Sequence, residues 1–123
     1  MRYDNSYDPP APVLRVKIKR PLSNLSMEIL AKLDTGADIT VVPQEIIEKL
    51  RLVPVSRISV SSFSGQRIFK YSYFADIEIQ KYNFSMVEII GGRRKNMLLG
   101  RNILNKLKII LDGKKLTFNL YDP

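Results

Sequence analysis

The tripeptide Asp34-Thr35-Gly36 places a carboxylate, a hydroxyl and a glycine in succession directly after an apolar residue, Leu33. A turn of this kind can aim backbone N–H groups at the carboxylate, while the threonine hydroxyl hydrogen-bonds the surrounding backbone. A carboxylate held in this way is suited to activating a water molecule. Asp34 is therefore the leading candidate for a catalytic side chain.

The composition restricts the chemistry available to the chain. Its 123 residues include no His and no Cys. Ser-His-Asp and Cys-His catalysis, imidazole or thiolate metal sites and disulfide bonds are therefore excluded within one chain. Catalysis must come from carboxylates, hydroxyls, amines or the backbone, and we expect neither a metal nor a cofactor.

A second carboxyl is needed beside the first. One aspartate is a weak general base near neutral pH, whereas two carboxyls held together share a proton, so that one polarises a carbonyl while the other deprotonates water. The chain has one Asp-Thr-Gly, and Asp76 and Asp112 lie in unrelated contexts, Asp-Ile-Glu and Asp-Gly-Lys. A twofold homodimer would supply the partner, because a symmetric interface brings the same residue of each chain to the axis.

The surrounding pattern predicts an all-β domain that positions this turn. Short apolar and alternating segments predict strands over residues 14–18, 25–33, 39–42, 74–79, 84–90 and 97–100, two longer strands around 61–65, and a hairpin over 109–118. Asp112-Gly113 favours a two-residue type I′ turn in that hairpin. Residues 44–50 and 101–107 are predicted to form short helices. Residues 1–12 are predicted to be a flexible N-terminal arm, and residues 13–123 one domain.

Three blocks of the sequence stand in a fixed order. The first is Leu33-Asp-Thr-Gly-Ala-Asp-Ile-Thr40, the last is Leu98-Leu-Gly-Arg-Asn-Ile-Leu104, and Val60-Ser-Ser-Phe-Ser-Gly-Gln66 lies between them. Together they resemble the retropepsin-like, or retroviral-type, aspartic protease family, and the middle block falls where this family carries its flap. The resemblance implies an all-β retropepsin-like acid protease fold, which is a closed barrel-like domain with a flap hairpin and one or two short helices, active as a homodimer.

The resemblance also implies roles for the matching residues. Asp34 would be the catalytic aspartate, Thr35 would interlock across the dimer, and Gly36 would donate backbone hydrogen bonds at the dyad. Arg101 would pair with Asp38 and brace the interface. The implied substrate-binding residues are Ala37, Asp38, Ile39, Val41, Ser62, Phe63, Ser64, Gly65 and Leu98. The chain ends, including the strand near residues 116–121, would tie the two subunits together.

Plainer interpretations of several of these residues stay open. Asp38 and Arg101 are equally consistent with a structural ion pair. Phe63 is consistent with simple hairpin packing. Composition alone favours a core position for the apolar residues Ile39, Val41 and Leu98.

The function that the resemblance implies is peptide hydrolysis by an aspartic endopeptidase, with peptides or proteins as substrates. A second hypothesis keeps the dimeric fold as a peptide-binding module without catalysis. A third, nucleic-acid binding, starts from the net charge of +8. The basic residues are scattered along the sequence and no nucleic-acid motif is present, so we do not expect a nucleic-acid partner.

The sequence contains no secretory leader pattern. Residues 1–12 hold Arg2, Asp4 and Asp8 and no apolar run, and no later segment approaches the roughly 20 apolar residues of a membrane helix. We therefore expect a soluble, cytoplasmic protein without a membrane partner.

Overall fold

The computed structural model describes residues 1–61 and 64–122, which form nine strands and two short helices. In chain order these are β1 (Val13–Lys19), β2 (Ser26–Leu33), β3 (Thr40–Pro43), α1 (Gln44–Lys49), β4 (Ser56–Ser61), β5 (Arg67–Ile79), β6 (Tyr82–Gly92), β7 (Met97–Leu99), α2 (Arg101–Leu104), β8 (Lys108–Asp112) and β9 (Thr117–Tyr121).

Six of the strands close into a barrel. Their order is β1-β2-β7-β3-β6-β5, and β5 pairs back to β1 through Ile18 and Ile77. Strand β4 extends the sheet beyond β5, while β8 and β9 form a separate two-stranded ribbon. The predicted all-β, closed barrel-like domain with one or two short helices is confirmed.

The strands follow the alternation of apolar and charged residues. In β1, Leu14, Val16 and Ile18 are buried, whereas Arg15 and Lys17 are exposed, because successive side chains of a strand point to opposite faces. The buried faces of the barrel strands build one core. Helices α1 and α2 contribute buried isoleucines to it, and β9 contributes the fully buried Phe118.

Strand β5 joins two segments that the sequence predicts as separate strands. The second of the two longer strands around 61–65 and the strand over 74–79 form one continuous strand of 13 residues. Near the junction, Ser72 lies between Ser56 on β4 and Ile90 on β6. Pairing on both sides carries the backbone hydrogen bonds past this point, and local residue preference does not reveal such pairing.

The ribbon β8–β9 is present, but the predicted two-residue turn is wrong. Asp112 pairs with Thr117, so the connection has four residues, and the left-handed residue is Leu116 (φ 54°). The Asp112 side chain accepts a hydrogen bond from the Lys115 backbone N–H at 3.0 Å, which closes this wider loop.

The N-terminal segment pairs with the ribbon. The backbones of Met1 and Phe118 exchange two hydrogen bonds of 2.8 Å, and the Tyr3 N–H donates to the Leu116 carbonyl at 2.8 Å. The Tyr3 ring meets the Phe118 ring edge-on at 6.0 Å. Residues 1–12 were predicted as a flexible arm from their composition, whereas in the structure the first three lie along the otherwise unpaired edge of β9.

Within residues 1–61 and 64–122, no helix has the length and apolar character needed to cross a membrane.

Gly100 allows two segments of the barrel to pass in contact. A Cβ atom at this position would lie 2.5 Å from the carbonyl carbon of Ile39 and 2.9 Å from the backbone nitrogen of Thr40. Backbone atoms cannot rotate away as a flexible side chain can, so this close approach requires glycine.

We expect Gly100→Ala to lower the free energy of unfolding by about 3 kcal/mol, the upper end of typical overpacking costs. Gly113→Ala is the matched control, because a Cβ there meets no atom within 4 Å and the backbone is not left-handed. It should change stability by less than about 0.5 kcal/mol. Urea unfolding followed by circular dichroism measures both, and equal stability of the two variants would contradict the proposed contact.

Candidate active site

Asp34 lies at the end of β2, where this strand runs parallel to β7. Leu33 pairs with Leu99 in that register, and the Asp34 N–H donates to the Leu99 carbonyl at 3.0 Å. The parallel pair therefore delivers Asp34 and Gly100 to the same edge of the barrel. The turn that carries the carboxylate begins from this fixed point.

The turn itself orients the carboxylate. The Gly36 N–H donates to Asp34 Oδ1 at 3.0 Å, and the Ala37 N–H donates to the Asp34 carbonyl at 3.1 Å. A Cβ atom on Gly36 would lie 3.2 Å from Asp34 Oδ1, so a side chain there would press on the carboxylate. Asp34 is half-buried, whereas Thr35 and Gly36 are exposed. One face of the turn is thus open to solvent.

Arg101 braces the same loop from α2. Its side chain forms an ion pair with Asp38, and its Nη1 donates to the Thr35 carbonyl at 2.7 Å. Its backbone N–H donates to the Ala37 carbonyl at 2.8 Å. The pairing of Asp38 with Arg101 that the resemblance implies is present, and Asp38 is nevertheless largely exposed, with 84% of its side chain accessible.

Asn102 joins three elements behind the turn, and sequence reasoning did not single it out. Its Oδ1 accepts hydrogen bonds from the Thr40 N–H at 3.0 Å and the Thr40 hydroxyl at 2.9 Å, and its Nδ2 donates to the Glu88 carbonyl at 2.8 Å. The fully buried Thr40 hydroxyl also accepts from the Gly100 N–H at 3.1 Å. The signal in the sequence that could have indicated Asn102 was its position directly after Arg101 in the last of the three blocks.

A groove of about 360 Å³ lies beside the turn. One wall is the loop that follows Asp34, with the half-buried Ile39 and Val41, and the other is β4 with Ile58 and Val60. These side chains give the groove its apolar surface, and Asp38, Ser59, Ser61 and Arg67 add polar groups to it. Ile39 and Val41 therefore line a groove. The core position that composition alone favours for them is wrong.

The groove includes residues that sequence reasoning missed. Ile58 and Val60 alternate with serines along β4, so the period-2 pattern was the signal available for them. Arg67 and Ile90 also line the groove. Leu98, which the resemblance places among the substrate-binding residues, pairs with Val41 and lines an adjoining cavity.

Strand β4 and the first part of β5 form a hairpin over the groove. Arg67 reinforces it, since its Nε donates to the Ser59 hydroxyl at 3.0 Å and its Nη1 to the Ser61 hydroxyl at 3.1 Å. Ser64 and Gly65 are exposed at its end, and Gly65 has φ +80°, a conformation that favours glycine. The predicted substrate-binding residues Ser62 and Phe63 lie outside the described residues.

A family model described as "gag-polyprotein putative aspartyl protease" matches residues 25–106, which is most of the chain and includes the Asp34 turn, the hairpin and α2. The chain belongs to this retropepsin-like aspartyl protease family. No curated protein sequence matches it.

Solved structures of this family share the fold. EIAV protease complexed with the inhibitor HBY-793 is 19% identical, with 77% of this chain and 86% of that chain covered at a TM-score of 0.58. Simian foamy virus (mac) protease is 20% identical, with coverage of 76% and 92% and a TM-score of 0.58. A retropepsin-like aspartic protease from Rickettsia conorii is 20% identical, with coverage of 90% and 94% and a TM-score of 0.55.

We expect Asn102→Ala to lower the free energy of unfolding by about 2–3 kcal/mol, because it leaves buried groups of Thr40 without a hydrogen-bond partner. Asn105→Ala is the control, since Asn105 follows α2 with an exposed side chain. Thermal and urea unfolding of both variants check this. An Asn102→Ala protein as stable as Asn105→Ala would show that the network contributes little.

Proposed function

We propose that this protein is an aspartic endopeptidase whose active unit is a homodimer with one Asp34 from each chain. The observation that supports this most directly is the Asp34 turn, which is fixed by Gly36, Leu99 and Arg101 but open to solvent on one face. An apolar groove beneath a hairpin lies beside it, as binding of an extended peptide requires.

The proposed chemistry needs two carboxyls that share one proton. The ionised Asp34 takes a proton from a water molecule, and the protonated Asp34 of the second chain donates to the oxygen of the peptide carbonyl. The product of this step is a tetrahedral diol that is not attached to the enzyme. Collapse of the diol with proton transfer to the amide nitrogen then breaks the C–N bond and releases the two peptide products.

In this proposal, Thr35 and Gly36 lie at the twofold axis and contact the same residues of the second chain. Ala37, Asp38, Ile39, Val41 and Leu98 bind the substrate from below, and the residues of the hairpin end, Ser62, Phe63, Ser64 and Gly65, bind it from above. The Asp38 carboxylate can accept a hydrogen bond from the main chain of a substrate while it is paired with Arg101, because most of its side chain remains accessible.

The ribbon is the surface that we propose for the dimer contact. Ile110, Leu111 and Tyr121 are apolar or aromatic side chains that remain 46%, 48% and 43% exposed. Strand β8 pairs only with β9 among the described residues, so its other edge can accept backbone hydrogen bonds from a second chain. Since Met1–Tyr3 occupy the outer edge of β9 within one chain, we propose that β8 carries the contact. The tie between chain ends that the resemblance implies stays a prediction.

A peptide-binding module without catalysis is the second candidate, because the groove is formed within one chain and does not depend on the carboxyl pair.

The cytoplasmic location that the sequence predicts stays a prediction.

Asp34→Asn should abolish cleavage while leaving the fold and the dimer intact, because the amide can neither take up nor share the proton. The test is digestion of a mixed peptide library at several pH values, read by mass spectrometry, with sedimentation to measure the oligomeric state. Asp8→Asn, an exposed aspartate in the N-terminal segment, is the control and should cleave like wild type. Cleavage that survives Asp34→Asn would reject the mechanism, and wild-type protein that binds but never cuts would favour the second candidate.

Mixing wild-type protein with the Asp34→Asn variant should lower the peptidase activity per wild-type chain. Random pairing in an equal mixture gives about half of the wild-type chains a variant partner, so activity per wild-type chain should fall to about half and decline further with excess variant. The Asp8→Asn protein should have no such effect. Activity per wild-type chain that stays constant would show that one chain carries a complete site.

The rate of peptide cleavage should show a bell-shaped dependence on pH with an acidic optimum. Activity falls on the acid side when both carboxyls of the pair are protonated, and on the other side when both are ionised. Measurement of kcat/KM against pH, at constant ionic strength and with the fold checked at each pH, tests this. A rate that rises steadily into the alkaline range would contradict a shared proton.

A further inference from the structure

A second cavity of about 450 Å³ continues the groove away from the Asp34 turn. The two share Val41, Val60, Ser61 and Ile90 in their walls. A peptide lying in the groove would therefore present a neighbouring side chain to this cavity. We call it the basic subsite, for the residues at its rim.

The floor and rim of the basic subsite differ in chemistry. Aliphatic side chains make up the part of the lining that we call the floor, namely Val41, Val60, Ile68, Ile90 and Leu98. The part that we call the rim consists of three cations, Lys70, Arg93 and Arg94, and no aspartate or glutamate lines the cavity within the described residues. A side chain with an apolar stem and a negative end fits both parts.

Two of the cations are held in place by backbone carbonyls. Lys70 Nζ donates to the Gly91 carbonyl at 2.6 Å, and Arg94 Nε donates to the Asn96 carbonyl at 2.6 Å. The stem of Arg94 lies against Gly92, where a Cβ would be 3.8 Å from its Cγ and Cδ and 2.7 Å from Val41 Cγ1. The short distance to Val41 is the reason that this position requires glycine, whereas the Arg94 stem lies at ordinary van der Waals distance from it.

These cations lack an acidic partner. Within residues 1–61 and 64–122, the ion pairs are Lys49 with Glu45 and Arg101 with Asp38. Lys70 and Arg94 are also partly buried, where a charge interaction is screened less than on the open surface. Their remaining N–H donors and their charge are available to a ligand.

We propose that the basic subsite selects an acidic side chain of the peptide substrate, with glutamate favoured because its stem is long enough to contact the apolar floor. This inference rests on the proposed function. It deepens that function by naming a substrate class, which is peptides with a carboxylate at one fixed distance from the scissile bond.

The test is the spectrum of sites that wild-type protein cuts in a peptide library, compared with that of Lys70→Gln/Arg94→Gln. Wild type should enrich glutamate at one position relative to the cut, and a peptide with that glutamate should be cleaved with about tenfold higher kcat/KM than its glutamine counterpart. The double variant should lose this ratio and still cleave the glutamine peptide. Lys81→Gln, which removes an exposed charge elsewhere, should keep the wild-type ratio.

Charge reversal gives a gain of function that a merely destabilised protein would not show. Arg94→Glu should shift the preference at the same position from glutamate towards lysine or arginine, and added salt should weaken both preferences. Cleavage by wild type without acidic enrichment, or an unchanged spectrum in Arg94→Glu, would overturn the proposal.

The two proposals fail in different ways. If wild type cleaves nothing, the endopeptidase proposal fails, and the subsite is then tested by binding of the same glutamate and glutamine peptides, followed by fluorescence anisotropy. Tighter binding of the glutamate peptide that disappears in Lys70→Gln/Arg94→Gln would support the subsite without catalysis. Equal binding of the two peptides would overturn it.

Discussion

The contact between Gly100 and the backbone of Ile39 and Thr40 is the constraint on which the site depends. It brings the loop after Asp34 against the start of α2 with no side chain between them. The Thr40 hydroxyl then accepts from the Gly100 N–H, and Asn102 reaches Thr40 from the next turn of chain. Because each of these hydrogen bonds requires close approach of the two segments, a change in this contact would displace the Asp34 turn.

The two sides of the groove are built differently. The lower side combines a parallel strand pair, buried hydrogen bonds and the Arg101 bridge, which together hold the Asp34 turn from several directions. The upper side is the β4–β5 hairpin, whose reinforcing bonds from Arg67 are exposed to water. Exposed bonds with few buried apolar neighbours open at lower free-energy cost. This distribution suits the proposed function, in which the Asp34 carboxyl is held fixed while a peptide enters beneath the hairpin.

Position in the fold changes the meaning of the basic residues. As a sequence cluster, Arg93, Arg94 and Lys95 are most simply explained as a solvated surface. In the structure, Arg93 and Arg94 join Lys70, more than twenty residues away on β5, at the rim of a cavity with an apolar floor. They meet because β5 and the end of β6 lie side by side there, with Lys70 bonded to the Gly91 carbonyl, and the proposed role in substrate choice depends on this meeting.

Local information was sufficient for much of this protein. The alternation in β1, the β-branched segment before Pro43 and the Asp-Thr-Gly turn are properties of neighbouring residues, so the strands, α1 and the candidate carboxylate could be predicted from the sequence. The continuity of β5, the four-residue loop of the ribbon and the pairing of Met1–Tyr3 with β9 could not, because each depends on which strand edge lies alongside. For the same reason the tertiary structure alone decided the role of Asn102 and the basic subsite, since both join residues that are distant in sequence and meet only when the barrel closes.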